Sequence, residues 1–164
     1  MKFILLFLLT AIGPAYLTAQ SVADDEVAIR TVIERETQAY LDRNAGQQVG
    51  CWAERTGLSQ RITLDNGHLV AANGDQASLR RGLETCFRQL TEPDRATFVN
   101  QQYRVRIRGE AAFVTFIQVL QPANQPAEHS QQTRYLEREQ GQWKIVHSGV
   151  MYYEPKPEQA QANR

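Results

Sequence analysis

Val99-Asn100-Gln101-Gln102-Tyr103-Arg104-Val105-Arg106-Ile107-Arg108 is the stretch that sets the fold class. Val99, Gln101, Tyr103, Val105 and Ile107 alternate with Asn100, Gln102, Arg104, Arg106 and Arg108. Such alternation marks a strand with one face in a core and the other in water. Arg108-Gly109-Glu110-Ala111 reads as a turn, and residues 112–121 as its partner strand. Pro122-Ala123-Asn124-Gln125-Pro126 is a loop. Two further strands, near 131–139 and 142–154, meet at Gln140-Gly141.

Upstream the apolar spacing becomes helical. Ile29, Val32, Ile33, Tyr40 and Leu41 predict a helix over 24–43, opened by Asp24-Asp25-Glu26 at the positive end of its dipole. Asn44 is a cap for a short second helix running to Trp52. Residues 58–64 alternate like a strand, and Asp65-Asn66-Gly67-His68 has the composition of a type I′ hairpin turn. Leu69-Val70-Ala71 starts the return, and Asn73-Gly74-Asp75 leads into a third helix over 76–90. Its apolar face is Leu79, Leu83, Cys86, Phe87 and Leu90. Helices followed by long strands predict an α+β domain, with three helices packed on one face of a curved antiparallel sheet.

The chain has 164 residues, with 18 Lys+Arg against 18 Asp+Glu, which suits one soluble domain. A neutral chain lacks the basic excess that sequence-independent nucleic-acid binding needs, so no nucleic-acid partner is expected. Two Cys and three scattered His give no metal cluster. Dinucleotide, phosphate-loop, hydrolase-elbow and zinc-protease motifs are all absent, so neither metal nor cofactor is expected. His68 in a turn and His129 at a strand start read as ordinary polar residues.

Lys2 followed by Phe3-Ile4-Leu5-Leu6-Phe7-Leu8-Leu9 reads as a signal peptide over residues 1–19. The run is shorter than the roughly 20 apolar residues that span a bilayer, so no stable membrane insertion is expected after cleavage. Leu17-Thr18-Ala19 and Ser21-Val22-Ala23 are alternative cleavage sequences. The expected location is periplasmic or secreted, with a domain over 24–154 and a disordered tail over 155–164. In an oxidising compartment Cys51 and Cys86 become a disulfide candidate, worth roughly 3–4 kcal/mol if closed. Two buried free thiols are the alternative.

Hairpin registers extend the reading to a site. With Gln140-Gly141 as a two-residue loop, Arg138 pairs with Trp143, Leu136 with Ile145, and Arg134 with His147. With Gly109-Glu110 as a loop, Val105 pairs with Val114, Tyr103 with Phe116, and Gln101 with Gln118. Both hairpins run from apolar residues near the turn to polar ones further along the inner face. A buried Arg134 needs a partner, because desolvating a charge costs several kcal/mol. Glu36, beside the apolar stripe of the first helix, is the candidate. Two readings stand: a structural ion pair, or a pocket where Glu36 or His147 handles a proton and Arg134 binds an anion.

Ile33-Glu34-Arg35-Glu36-Thr37-Gln38-Ala39-Tyr40, Cys51-Trp52 and Gly141-Gln142-Trp143-Lys144-Ile145-Val146-His147 resemble the nuclear-transport-factor-2-like superfamily. The similar branch holds SnoaL-like polyketide cyclases and ketosteroid isomerases, and the resemblance spans residues 24–153. The ending also resembles the association domain of calmodulin-dependent kinases, where a second His often follows two residues on; here that position is Gly149. The resemblance implies a cone-shaped, cystatin-like fold, a pocket at the wide end, and often a homodimer through the outer sheet face. Expected ligand contacts are Trp52, Tyr103, Gln118 and Arg134, with Glu36 and His147 as catalytic candidates. The expected function is binding of a small anionic or carbonyl-bearing ligand. The alternative is an isomerase, dehydratase or cyclase that uses a carboxylate or His for proton transfer. N-terminal sequencing of the mature protein is expected to begin at Gln20 or Asp24, and an intact Met1 contradicts the leader.

Overall fold

The computed structural model describes residues 21–54, 59–65, 68–90 and 95–155. The expected leader, the Asn66-Gly67 turn, the Thr91-Glu92-Pro93-Asp94 loop and all of the tail but Pro155 lie outside the described residues. Helix α1 (Val22–Leu41) begins at Ser21, whose hydroxyl accepts the Asp24 backbone N–H at 3.1 Å. Helix α2 (Ala45–Val49) begins at Asn44, whose side chain accepts from Gln47 N at 3.0 Å. Strands β1 (Ser59–Asp65) and β2 (His68–Gly74) pair as a hairpin, with Asp65 opposite His68. Helix α3 (Gln76–Arg88) is capped by Asp75, which accepts from Ser78 N at 2.8 Å. Strands β3 (Thr97–Arg108), β4 (Ala111–Gln121), β5 (Glu128–Glu139) and β6 (Gln142–Tyr153) complete the chain.

The six strands form one sheet in the order β2-β1-β6-β5-β4-β3. Neighbours run antiparallel except β1 and β6, which are parallel. Before β1 the chain already runs along β6: Ala53 N donates to Ile145 O at 2.9 Å, and Ile145 N donates to Cys51 O at 2.8 Å. The expected α+β architecture of three helices and a curved sheet is therefore present.

Two bulges bend the sheet and redistribute its side chains. On β3, Gln102 and Tyr103 oppose the single residue Phe116, and Gln102 adopts a positive φ of 56°. On β6, Val146 is the extra residue between the pairs Leu136–Ile145 and Tyr135–His147. Past each bulge the inner and outer faces exchange. Asn100 therefore pairs with Gln118, where the unbroken register put Gln101. Val99 turns outward and is 61% exposed. Arg134 pairs with Ser148 and not with His147.

The core joins Ile29, Val32 and Ile33 of α1 to Val114, Phe116, Leu136 and Ile145 of the sheet. The N-terminal turn of α1 is pinned by charge as well. Asp25 is buried, and its Oδ1 accepts from Arg138 at 2.5 Å and from Trp143 Nε1 at 3.1 Å. The Arg138 guanidinium lies 4.6 Å from the Trp143 ring centroid. This cluster holds the first turn of α1 over the β5–β6 turn and fixes the angle at which the helix crosses the sheet. Among the described residues no helix is long and apolar enough to cross a membrane.

Candidate functional site

Glu36 occupies the middle of α1, three residues beyond Ile33 on the buried face, and is 5% exposed. The inward alternation of β5 carries Ser130, Gln132, Arg134 and Leu136 toward it. Arg134 Nη2 lies 3.5 Å from Glu36 Oε2, and Gln48 of α2 donates to Glu36 Oε1 at 3.2 Å. The ion pair expected from the sequence is thus formed, with Arg134 only 4% exposed.

From Arg134 a chain of side chains crosses the inner face, and its direction is forced. A guanidinium only donates, so the Gln132 oxygen must face it; Arg134 Nη1 donates to Gln132 Oε1 at 2.9 Å. The Gln132 nitrogen is left to donate, to Gln118 Oε1 at 3.4 Å and to Ser130 Oγ at 2.8 Å. The Gln118 nitrogen in turn donates to Asn100 Oδ1 at 3.0 Å and to Thr37 Oγ1 at 3.2 Å. Asn100 Nδ2 finally donates to Tyr103 Oη at 3.0 Å. Arg134 therefore polarises a one-way relay that ends at a phenol whose own proton remains to be given. The relay starts in the core and ends half-buried, since Thr37, Asn100, Gln118 and Tyr103 are all partly exposed.

Tyr103 is fixed by its neighbours. Its ring stacks on Phe116 at 5.0 Å between centroids, and the Arg30 guanidinium covers it at 4.6 Å. Burial pushes the phenol up to about 12, so the hydroxyl is a donor at every physiological pH.

The structure brings together Glu36, Arg134, Gln118 and Tyr103 among the expected site residues. Thr37, Asn100, Gln132 and Gln48 join them. Asn100 was hidden by the β3 bulge, which reverses its face. Gln132 was missed, although it shares the inner face of β5 with Arg134 and period-two spacing from Arg134 would have found it.

Two expected residues lie elsewhere. His147 is on the outer sheet face, because Val146 bulges and turns the rest of β6 over. It cannot serve as the acid or base of the inner site. An added Cβ at Gly149 would stand 2.4 Å from Thr133 Oγ1, so the position of the second family His is already filled on that face. Trp52 follows α2 and forms an isolated bridge with Ile145. It lines a separate cavity with Tyr40, Leu79, Leu83 and Cys86, apart from the relay.

The cysteines are not joined. The Cys51 thiol donates to Gln47 O at 3.4 Å beside α2, whereas Cys86 sits on α3 in the cavity wall. Burial pushes the Cys51 thiol above its ordinary range, which suits an inert core thiol.

The SnoaL-like domain profile matches residues 53–152, more than half of the chain. The chain belongs to the SnoaL-like domain family. An NTF2-like protein of unknown function from Pseudomonas putida is 20% identical, with a TM-score of 0.63 over 84% of this chain and 92% of that one. An NTF2-like protein with a cystatin-like fold from Novosphingobium aromaticivorans is 16% identical, with a TM-score of 0.63 over 87% and 90% of the two chains. A candidate dehydratase of the NTF2-like family from Streptomyces avermitilis is 12% identical, with a TM-score of 0.64 over 82% and 100%. At these identities the likeness shows the fold. No curated protein matches the chain.

The surroundings of His147 can be checked by titration. Burial, and then the positive charge of Arg134, hold its imidazole below the ordinary 6.5. A lowered folded value means that the unfolded chain binds the proton more tightly. The associated stability is full above about 6.5 and is lost as pH falls through the folded value. NMR titration of the ring is expected to give a midpoint below 6.5. A midpoint above that value contradicts the burial and the Arg134 charge that act on the ring.

Proposed function

We propose that this domain binds a small ligand through a carbonyl or carboxylate oxygen, received by the Tyr103 hydroxyl at the partly exposed end of the relay, without turning the ligand over. The direction of the relay carries this reading. Asn100 donates to Tyr103 Oη at 3.0 Å, which leaves the phenolic proton as the terminal donor. No acceptor for that proton is found among the described residues. The Arg30 guanidinium lies 4.6 Å from the same ring and is ion-paired to Glu26 at 2.5 Å. The neighbouring Asn100 and Gln118 amides bond chiefly to one another and to Thr37, so a ligand can displace those contacts without opening the apolar core.

A second reading is turnover, as an isomerase, dehydratase or cyclase. Tyr103 favours it, since a protonated phenol beside a carbonyl stabilises developing negative charge. The Streptomyces avermitilis neighbour, a candidate dehydratase, points the same way. Glu36 weighs against it. The carboxylate that would take the proton is held by Arg134 and Gln48 at the opposite end of the relay. A general base needs a free lone pair within reach of the proton it removes, and both Glu36 oxygens are engaged, Oε1 by Gln48 and Oε2 by Arg134.

Calorimetric titration with benzoate and acetophenone tests the binding reading. Saturable binding of at least one is expected. Tyr103→Phe keeps the ring on Phe116 and removes the proton, and is expected to weaken binding about tenfold, the worth of one well-made hydrogen bond. Equal affinity in the variant overturns the proposal. Loss of water from a β-hydroxyketone, catalysed by the wild type and abolished in Glu36→Gln, would establish the turnover reading in its place.

A further inference from the structure

Strand β3 is an edge: the sheet order ends on it, and β4 is its one partner strand among the described residues. Beyond the bulge, residues 104–108 run in unbroken register, with Arg104, Arg106 and Arg108 opposite Thr115, Phe113 and Ala111. Glu110 O accepts from Arg138 N of β5 at 2.8 Å. Backbone groups alternate in direction along an antiparallel strand, so those of Ala112 and Val114 face β5 and those of Ala111, Phe113 and Thr115 face β3. Their partners Arg108, Arg106 and Arg104 engage β4 in return. The N–H and C=O groups of Val105 and Ile107 therefore point to the open edge.

Side chains along that edge are sorted by face. Arg104, Arg106 and Arg108 are exposed on the outer face, and no acidic partner for any of the three is found among the described residues. Val105 and Ile107 lie half-buried on the inner face, packed against the rim of the core. Residues two positions apart on a strand stand roughly 7 Å from each other, which is the repeat of any extended chain. A strand laid on the edge, with acidic residues at alternate positions, sets one carboxylate beside each guanidinium. A second copy of β3 sets Arg against Arg, which cross-strand repulsion disfavours. A broad anionic surface also meets Glu137, which shares the outer face, and Glu110, 75% exposed at the turn.

We infer that the open edge of β3 is a docking site for an extended acidic segment of another protein, one whose Asp or Glu residues alternate with apolar ones. The segment adds a strand to the sheet. Val105 and Ile107 supply the backbone donors and acceptors that hold it, and the three arginines pair with its carboxylates. Its apolar side chains continue the inner face past Val105 and Ile107. Charge on an edge strand keeps like edges apart, so the same three residues exclude self-pairing and admit a partner of opposite sign.

Fluorescence anisotropy with the labelled peptide Thr-Glu-Val-Glu-Val-Glu-Thr tests this. Saturable binding is expected, weakening as salt rises. The same peptide with N-methylated valines keeps its charge and loses the backbone donors that face the edge, and is expected to bind about tenfold more weakly. Amide hydrogen exchange at Val105 and Ile107 is expected to slow in the complex with the parent peptide. Arg106→Glu, at an exposed position, is expected to weaken the parent peptide about tenfold, and replacing the central Glu of the peptide by Lys is expected to restore affinity for that variant. Absence of saturable binding overturns the inference. Equal affinity of the N-methylated peptide, unchanged exchange at Val105 and Ile107, or failure of the Lys peptide to rescue Arg106→Glu overturns it as well, and leaves a strip that attracts any anion.

Discussion

The buried pair of Glu36 and Arg134 is the constraint around which the domain is organised. A guanidinium in an apolar interior is tolerated only where its charge is answered and its protons are placed. Arg134 meets Glu36 at 3.5 Å and gives Nη1 to Gln132 and to the Thr133 carbonyl. Both halves of the molecule are thereby committed. Helix α1 must cross the sheet where Glu36 reaches β5, and α2 must fold back far enough for Gln48 to reach the same carboxylate. Asp25, with Arg138 and Trp143, fixes the other end of α1. Two polar anchors with Ile29, Val32 and Ile33 around and between them specify the crossing more narrowly than apolar packing would.

The charge at Arg134 also orders the inner face. Because it can only donate, each amide beyond it has one permissible orientation, and the polarity runs outward through Gln132, Gln118 and Asn100 to Tyr103. The buried ion pair and the terminal phenol, the proposed ligand contact, are in this sense one device. The pair sets the direction and the phenol presents it. The SnoaL-like family supplies the scaffold but not the chemistry, since one fold carries many activities. The proposal of binding without turnover rests on the arrangement of donors on this particular inner face.

Much of this was legible in the residues. Period-two alternation in β3 to β6 and helical spacing in α1 gave the layers. Counting back from Gln140-Gly141 paired Leu136 with Ile145 and sent Arg134 inward toward Glu36, as observed. Counting failed beyond each bulge. Val146 and the Gln102–Tyr103 pair are ordinary strand residues, and nothing in their chemistry announces an extra residue. Gln102 takes a left-handed φ although it is not glycine. Tertiary packing imposes these kinks, so His147 was placed on the wrong face and Asn100 was missed. Trp52 was expected to contact a ligand together with Tyr103, Gln118 and Arg134, but it bridges Ile145 and lines a different cavity. Cys51 and Cys86 show the same limit: sequence spacing cannot bring two Cα atoms within bonding range.

The most direct measurement is a double-mutant cycle on the central pair, read as the free energy of unfolding in urea. Glu36→Leu leaves Arg134 charged and unanswered, and Arg134→Met leaves Glu36 in the same state. Each is expected to cost about 3–5 kcal/mol. The double variant removes both charges and is expected to be more stable than either single variant. Losses that simply add would contradict the claim that the two charges depend on each other, and with it the organisation of the fold around them.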